Sequence, residues 1–425
     1  MPTRAGPERN TAISSPAISS PATDGAAPPR IGVEFILLVA LMMGITALSI
    51  DIMLPALPDI EAHYDLTDMN DQQLVIVSYM VGFGIGQLVF GPFSDRYGRK
   101  PVFYFGMAVY MAATVLAVVA FDFDTHLAGR LLQGVAAGAA RVIAVAVVRD
   151  RFAGRAMARA MSFIMAIFIL VPVVAPGIGA GILLIGPWQD IFWFLLGVAA
   201  ILTLWTALRL KETRPRDARR PLTVRSFAGA AAAVLGNRQT LCYMATASLT
   251  FGPLLAYIAT SHQIFVGIYR LDAWFPVAFG GIALFSIASA FVNARLVPGL
   301  GMRRMSHSAL LIQLVLALAF AALAWVGQPS LILLLVFFGL SMFMVGLCFP
   351  NFNALAMEPH GAIAGTASSI TGFVSTAIGS ALGWAIGAAF DGTVMPLTLG
   401  FAACAGFSIL AVLVAEPGRF LKSTA

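Results

Sequence analysis

Apolar residues in this chain run in long unbroken stretches. They do not alternate with polar ones as in a half-buried strand, nor form the narrow stripe of a surface helix. A helix crossing the hydrocarbon layer needs about 20 mainly apolar residues. Twelve stretches reach that length: 33–57, 72–94, 101–121, 125–148, 158–184, 187–209, 239–262, 272–296, 306–326, 329–352, 361–388 and 393–415. The pattern predicts an all-α membrane protein of twelve transmembrane helices. The tightest connections fall around Pro187 and Asp391. The longest internal polar interruption, 210–238, divides the chain into two six-helix bundles, 32–209 and 239–415. Residues 1–31 are rich in Pro, Ser and Ala and have no apolar run. They are expected to form a disordered tail and not a signal peptide, which leaves membrane targeting to the first span. Residues 416–425 form a second tail.

The charges test this count. Of 26 Lys and Arg, 23 fall in the two tails or in loops on one side of the predicted membrane. Arg130 and Arg141 lie inside the fourth span, and Arg270 alone falls on the opposite side. Asp59, Glu61, Asp65, Asp68, Asp71, Asp122 and Asp124 occupy opposite-side loops. Basic loops face the cytoplasm, so both termini and the 210–238 linker are predicted there. A wrong helix count would scramble the alternation. The loops GPFSDRYGRK from Gly91 and NARLVPGLGMRR from Asn293 echo each other, which suggests that the second bundle repeats the first.

Composition then closes off other classes. The chain is 59% hydrophobic and 11% charged, against roughly 45–50% and about 25% for a soluble domain. Soluble enzymes, nucleic-acid binders and secreted disulfide scaffolds are excluded. The net charge of +6 follows from topology and needs no nucleic-acid partner. Cys242, Cys348 and Cys404 sit singly in apolar stretches and read as small hydrophobes. No Ser/His/Asp set, metal-spaced cluster or Walker loop is present, so neither an enzyme, a metal site nor ATP-driven transport is predicted.

Ionisable groups within the membrane are costly and mark ion or substrate pathways. Asp51 lies about six residues from the outer end of span 1, roughly 9 Å deep. Arg130 enters span 4 at nearly the same depth, so the two can pair if these spans are neighbours. That pair is either a static structural link or a proton switch. Loss of water favours the protonated acid and an approaching arginine favours the ionised one. Arg141 follows Arg130 by eleven residues, which places both within about 20° on one helix face, about 16 Å apart. Such a face must look into a polar cavity. Arg141 either binds an anionic or electron-rich substrate group or extends its head toward the cytoplasmic surface. Tyr79, Tyr257 and Gln133 are further substrate-cavity candidates. Glu34, Glu358 and His360 read as solvated or structural.

Gly82 and Gly86, and Gly379, Gly383 and Gly387, form small-xxx-small patterns that let helices approach closely. Pro172, Pro176, Gly177 and Gly181 cluster in span 5, where a hinge is expected.

Gly91-Pro92-Phe93-Ser94-Asp95-Arg96-Tyr97-Gly98-Arg99-Lys100, between spans 2 and 3, resembles motif A of the major facilitator superfamily. Arg130, Gln133 and Gly134 resemble motif B of its proton-coupled members. Ala175-Pro176 resembles motif C of the drug/proton antiporters, with Ala175 replacing the usual glycine. Asp51-Ile52-Met53-Leu54-Pro55-Ala56-Leu57-Pro58 is similar to a signature of the Bcr/CflA multidrug branch, with Met53 in place of tyrosine. So is Phe349 to Pro359, followed by Ala364 to Ser368. The resemblance implies the major facilitator fold, two pseudo-symmetric bundles around a central cavity, and a monomer in the bacterial inner membrane. It implies no cofactor, a proton gradient as energy source, and export of small amphipathic compounds, phenicol-like ones among them, by alternating access. Asp51 and Arg130 would couple protons. Asp95 and Arg99, with Gly91, Arg96, Gly98 and Lys100, would latch helix 2 against helix 11 in the outward-facing state. Span 1 lacks the second carboxylate that some drug exporters carry, which points to simple proton coupling and away from cationic drugs. Export of a native metabolite is the alternative. A membrane sensor is a third reading, and it would bring a soluble domain that is not legible in these residues.

Overall fold

The computed structural model describes residues 32–215, 224–418 and 421. The tail 1–31, residues 216–223 and most of the chain after 418 lie outside the described residues, and with them the disorder expected of the first tail. Among the described residues, twelve helices are long and apolar enough to cross a membrane. Spans 1 to 6 are Val33–His63, Asp71–Tyr97, Arg99–Val118, Phe123–Arg151, Arg159–Leu183 and Gln189–Arg209. Spans 7 to 12 are Arg238–Ile268, Phe275–Leu300, Met302–Val326, Leu331–Gly361, Gly365–Ala388 and Met395–Ala415. The loops that carry most Lys and Arg gather at one end of the bundle, the basic end, and the acidic loops at the other.

Local chemistry sets where these helices begin and bend. Asp122, Asn237 and Ser330 each accept a backbone N–H three residues on, which caps spans 4, 7 and 10. Gly98 and Gly301, with φ of 101° and 81°, turn the chain into spans 3 and 9, a backbone shape that only glycine adopts cheaply. Span 1 is regular as far as Asp51. It then passes through a turn and a tight 3₁₀ segment at Leu54–Ala56 before Leu57–His63. Pro55 and Pro58 force that break.

One element was not legible as a helix. The stretch read as a linker contains Val224–Gly236. Phe227, Ala231 and Val234 of this helix pack on Ala367 and Ile370 of span 11, with Leu88 of span 2 alongside. At 13 residues it is too short to cross a membrane, and its apolar stripe is broken by Ala and Gly.

The halves repeat each other in their packing. Span 1 packs on spans 4, 5 and 6, and span 7 on spans 10, 11 and 12. Span 2 packs on 4 as 8 does on 10, and span 3 on 4 and 6 as 9 does on 10 and 12. The halves meet through spans 2 and 11 and through spans 5 and 8. Large apolar side chains such as Phe105, Phe291, Trp325 and Ile332 stand outward, where hydrocarbon would cover them.

The register of the repeat is fixed at both ends of spans 4 and 10. The caps Asp122 and Ser330 are 208 residues apart. So are the acids Asp150 and Glu358 at their far ends, each bonded to an arginine of the next layer. Gln133 accordingly matches Ser341, and both bond across to a neighbouring span, to Thr114 at 2.8 Å and from Gln313 at 3.2 Å. Arg130 matches Phe338, and Arg141 matches Phe349.

Candidate transport site

Glycine sets the position of span 4. A methyl group on Gly82, Gly86 or Gly134 would overlap a backbone carbonyl of the facing helix, at Leu131, Val135 and Tyr79 respectively. Spans 2 and 4 therefore touch backbone to backbone, which fixes Arg130 against the core.

Arg130 is fully enclosed. Its Nε donates to the Val75 carbonyl at 3.1 Å, Nη2 to the Ser49 carbonyl at 3.0 Å, and Nη1 to Oε1 of Gln133. The guanidinium lies over the rings of Tyr79 and Phe192, at 4.6 and 5.7 Å. Ser49 Oγ and the Tyr110 hydroxyl share a hydrogen bond of 2.6 Å. One cation thus ties spans 1, 2, 4 and 6 together through carbonyls and ring faces.

Asp51 does not pair with it. The carboxyl is 4% exposed and makes neither a hydrogen bond nor an ion pair among the described residues. Arg130 takes the carbonyl of Ser49, two residues earlier, because three acceptors already converge there. Gly179 of span 5 presses on the carbonyl of Ile52, which leaves no room for a side chain beside Asp51. Tyr257 of span 7 lies within electrostatic reach of the acid, stacks on Phe279 and packs at a tilt against Phe338. Its hydroxyl is buried without a partner.

The acidic end above this acid is sealed by amides. Asn70 Nδ2 donates to the Phe390 carbonyl at 3.1 Å. Gln73 Nε2 donates to the Gly387 carbonyl at 3.1 Å and to Oε1 of Gln263 at 2.9 Å. Gln263 Nε2 returns to the Met69 carbonyl at 2.8 Å. This clasp joins spans 2, 7 and 11 across the two halves. Sequence reading missed it. Its signal is a pair of adjacent glutamines opening an otherwise apolar span.

Toward the basic end the interior opens. Arg130 is buried, Arg141 and Val145 are half-buried, and Arg149 is exposed along one broad face of span 4. The Arg141 guanidinium lies 5.2 Å from the Phe168 ring centre. Of the cavity candidates, Arg141 is half-buried, whereas Tyr79, Gln133 and Tyr257 are packed inside.

One match decides the family. The model of the Major Facilitator Superfamily matches residues 39–384. The chain belongs to the major facilitator superfamily. It is 28% identical over 391 residues to a bicyclomycin resistance protein homolog of Haemophilus influenzae, covering 89% of this chain and 94% of that one. It is 28% identical over 345 residues to multidrug resistance protein D of Escherichia coli, covering 80% and 85%. These relatives belong to the Bcr/CflA-type drug:proton antiporter branch. The fold is similar to that of the human organic anion transporter MFSD10 (TM-score 0.69, 19% identity, 90% and 99% covered). It is also similar to a D-xylose-proton symporter (TM-score 0.70, 12% identity, 91% and 97% covered). The chain is therefore a multi-pass membrane transporter of small molecules, not an enzyme.

The motif A residues of this superfamily member gather at the basic end. Arg99, 1% exposed, bonds Asp95 at 2.8 Å and Asp150 at 2.9 Å. It also donates to Ser94 Oγ at 2.7 Å. Glu212 accepts the backbone N–H groups of Arg99 and Lys100, at 2.9 and 3.0 Å. It thereby caps span 3. Burial opposes the charge on Glu212, but these N–H groups and that of Arg214 outweigh it and hold the carboxyl below its ordinary 4.5. Lys100 reaches the Ala207 carbonyl and Arg96 is exposed. All these bonds stay within the first half and its linker. The lock of Asp95 onto span 11, expected for the outward-facing state, is not made in this conformation among the described residues. The halves meet there instead at Gly91, where a methyl group would come within 2.8 Å of the Ser369 hydroxyl. Asp150 and Glu212 are members of this cluster that the motif itself does not contain.

The span 5 prolines, Pro172 and Pro176, sit inside a continuous helix. Gly181 has open space around it, and Gly177 only reaches Pro276 at 4.0 Å. The close approach in this span belongs to Gly179.

Proposed function

We propose that this transporter exports small amphipathic compounds in exchange for protons, with Asp51 as the proton-carrying group. The observation that carries the proposal is the isolation of Asp51. Among the described residues it is the one buried acid away from the ends of the spans, and it has no counter-ion or hydrogen-bond donor. An unpaired charge at that depth is costly, and protonation removes it. The acidic end therefore closes readily over the neutral acid and poorly over the carboxylate. That asymmetry couples closure to proton capture.

Arg130 supplies the other half of the switch. It holds the Ser49 carbonyl, and a rotation of span 1 would exchange that carbonyl for the carboxylate two residues on, which lies on another side of the helix. With the basic end in the cytoplasm of a bacterial inner membrane, this conformation is the one that loads cargo from inside. Names of relatives that refer to multidrug and bicyclomycin resistance support antibiotic-like cargo. The chain is expected to act as a monomer, with the proton gradient as its energy source and no cofactor.

The test is transport by the purified chain in proteoliposomes under an imposed pH gradient, with a mixed substrate panel. Asp51→Asn should abolish gradient-driven accumulation while the protein still inserts and binds substrate. Undiminished uphill transport by that variant would remove Asp51 from the proton pathway.

A further inference from the structure

The 208-residue register of the repeat matches charged Arg141 of span 4 to aromatic Phe349 of span 10. Arg141 lies inside span 4, ten residues before its basic end at Arg151, or about 15 Å along the helix. Its guanidinium does not extend to that end. It stacks at 5.2 Å on Phe168, midway along span 5. Arg99, Arg130 and Arg303 are provided for. Arg99 and Arg303 hold carboxylates, and Arg130 holds two carbonyls and an amide oxygen. Arg141 meets no acid, carbonyl or hydroxyl among the described residues. Five N–H donors in a fixed fork are thus left for something the protein does not supply.

The corresponding position in the second half follows from the repeat. The register that matches Asp122 to Ser330 and Asp150 to Glu358 matches Arg141 to Phe349. The halves repeat their packing on either side of one interface, so these two positions lie at equal depth in the two inner spans. Phe349 is half-buried and pairs with Phe251 of span 7, ring centres 5.5 Å apart. Arg141 and Val145 are half-buried and Arg149 is exposed, so this face of span 4 is least covered toward the basic end. A cation entering from that end would meet Arg141 and no exposed acid among the described residues of the interior, because Asp51 is itself buried.

We propose that the cargo is an aromatic organic anion, its carboxylate or sulfonate on Arg141 and its ring against Phe168 and the Phe251–Phe349 pair. Planar anionic groups match the guanidinium fork in two-point hydrogen bonds. This deepens the export reading and rests on it for the direction of movement, but the binding itself needs no proton.

Equilibrium binding to the purified full chain tests it, with three probes that share a biphenyl body. One carries a carboxylate, one a carboxamide and one a trimethylammonium group. The carboxylate should bind at least about tenfold more tightly than the carboxamide, a difference of about 1.4 kcal/mol, and the ammonium should bind most weakly. Arg141→Gln should bring the carboxylate to the level of the carboxamide, and Arg141→Lys should keep part of the gap. Phe349→Ala should weaken the carboxylate and the carboxamide by a similar factor. Equal binding of all three probes by the unaltered chain would overturn the proposal without recourse to any variant. So would an anion preference that survives Arg141→Gln. No gradient is present in this assay, so a failure of proton coupling at Asp51 leaves its result unchanged. Absence of anion preference likewise leaves the Asp51 test standing.

Discussion

The two halves carry the same charge cluster at the basic end and differ in the membrane interior. In the first half Arg99 opens span 3 and bonds Asp150 at the end of span 4, with Glu212 following Arg99 by 113 residues. In the second half Arg303 bonds Glu358 at the end of span 10, with Glu416 again 113 residues on. Deeper in, the likeness stops. The positions of Arg130 and Arg141 are Phe338 and Phe349 in the second half, and Phe338 packs on Tyr257 and Phe265. Both halves need the cluster to hold three helices together at a wet surface. Among the described residues, only the first half carries buried charge in the membrane interior, and that asymmetry separates the scaffold from the chemistry.

Writing the second half's residue into the first should give the largest effect. Arg130→Phe strands the Ser49 and Val75 carbonyls and Gln133 Oε1, three buried acceptors. Each unmet group costs about 1–3 kcal/mol. The variant should accumulate poorly and melt far below the unaltered chain in detergent. A melting temperature close to the original would mean that Arg130 is dispensable for packing and is retained for transport alone.

The clusters themselves should respond unequally. Arg99 is 1% exposed and Asp150 12%, whereas Arg303 is 11% and Glu358 45% exposed. Breaking a buried pair leaves an uncompensated charge, while an exposed pair is screened by water. Asp150→Asn should destabilise by about 2 kcal/mol or more, and Glu358→Gln by less than about 1 kcal/mol. Matched thermal melts measure both. The reverse order would show that Asp95, which has no counterpart four residues before Arg303, holds Arg99 by itself.

This unevenness marks what a sequence can disclose. Twelve spans were legible because apolar length and basic loops are local properties of the chain. Asp51, Arg130, Arg141 and the Asp95–Arg99 pair stood out because charge is rare in such stretches. The partners did not. Whether Arg130 takes Asp51 or the Ser49 carbonyl depends on a rotation of span 1 that no spacing encodes. Gln73 and Gln263 meet only because spans 2 and 7 converge at the acidic end, 190 residues apart in sequence. The helix Val224–Gly236 hid in a basic, proline-containing stretch whose apolar stripe has meaning only against Ala367 and Ile370. The span 4 and span 10 register needed both end points, the caps and the terminal acids, before Phe349 could be matched to Arg141.

The smallest expected effect concerns how the third acid of each cluster is used. Glu416 bonds the Arg303 side chain at 2.7 Å, whereas Glu212 accepts backbone N–H groups at the start of span 3. A carboxylate there also faces the positive end of the helix dipole. Glu212→Gln keeps the shape and loses the charge, and should cost about 1 kcal/mol or less because the site is exposed to water. The pH dependence carries the sharper information. The folded-state carboxyl of Glu212 is held below its ordinary 4.5, since the N–H bonds outweigh burial. Its contribution is therefore complete above that ordinary value and is lost as pH falls through the lowered one. The gap in melting temperature between the unaltered chain and Glu212→Gln should be constant near neutrality and close in acid. A gap that persists in acid would mean that Glu212 holds the start of span 3 by its shape, with its charge playing no part.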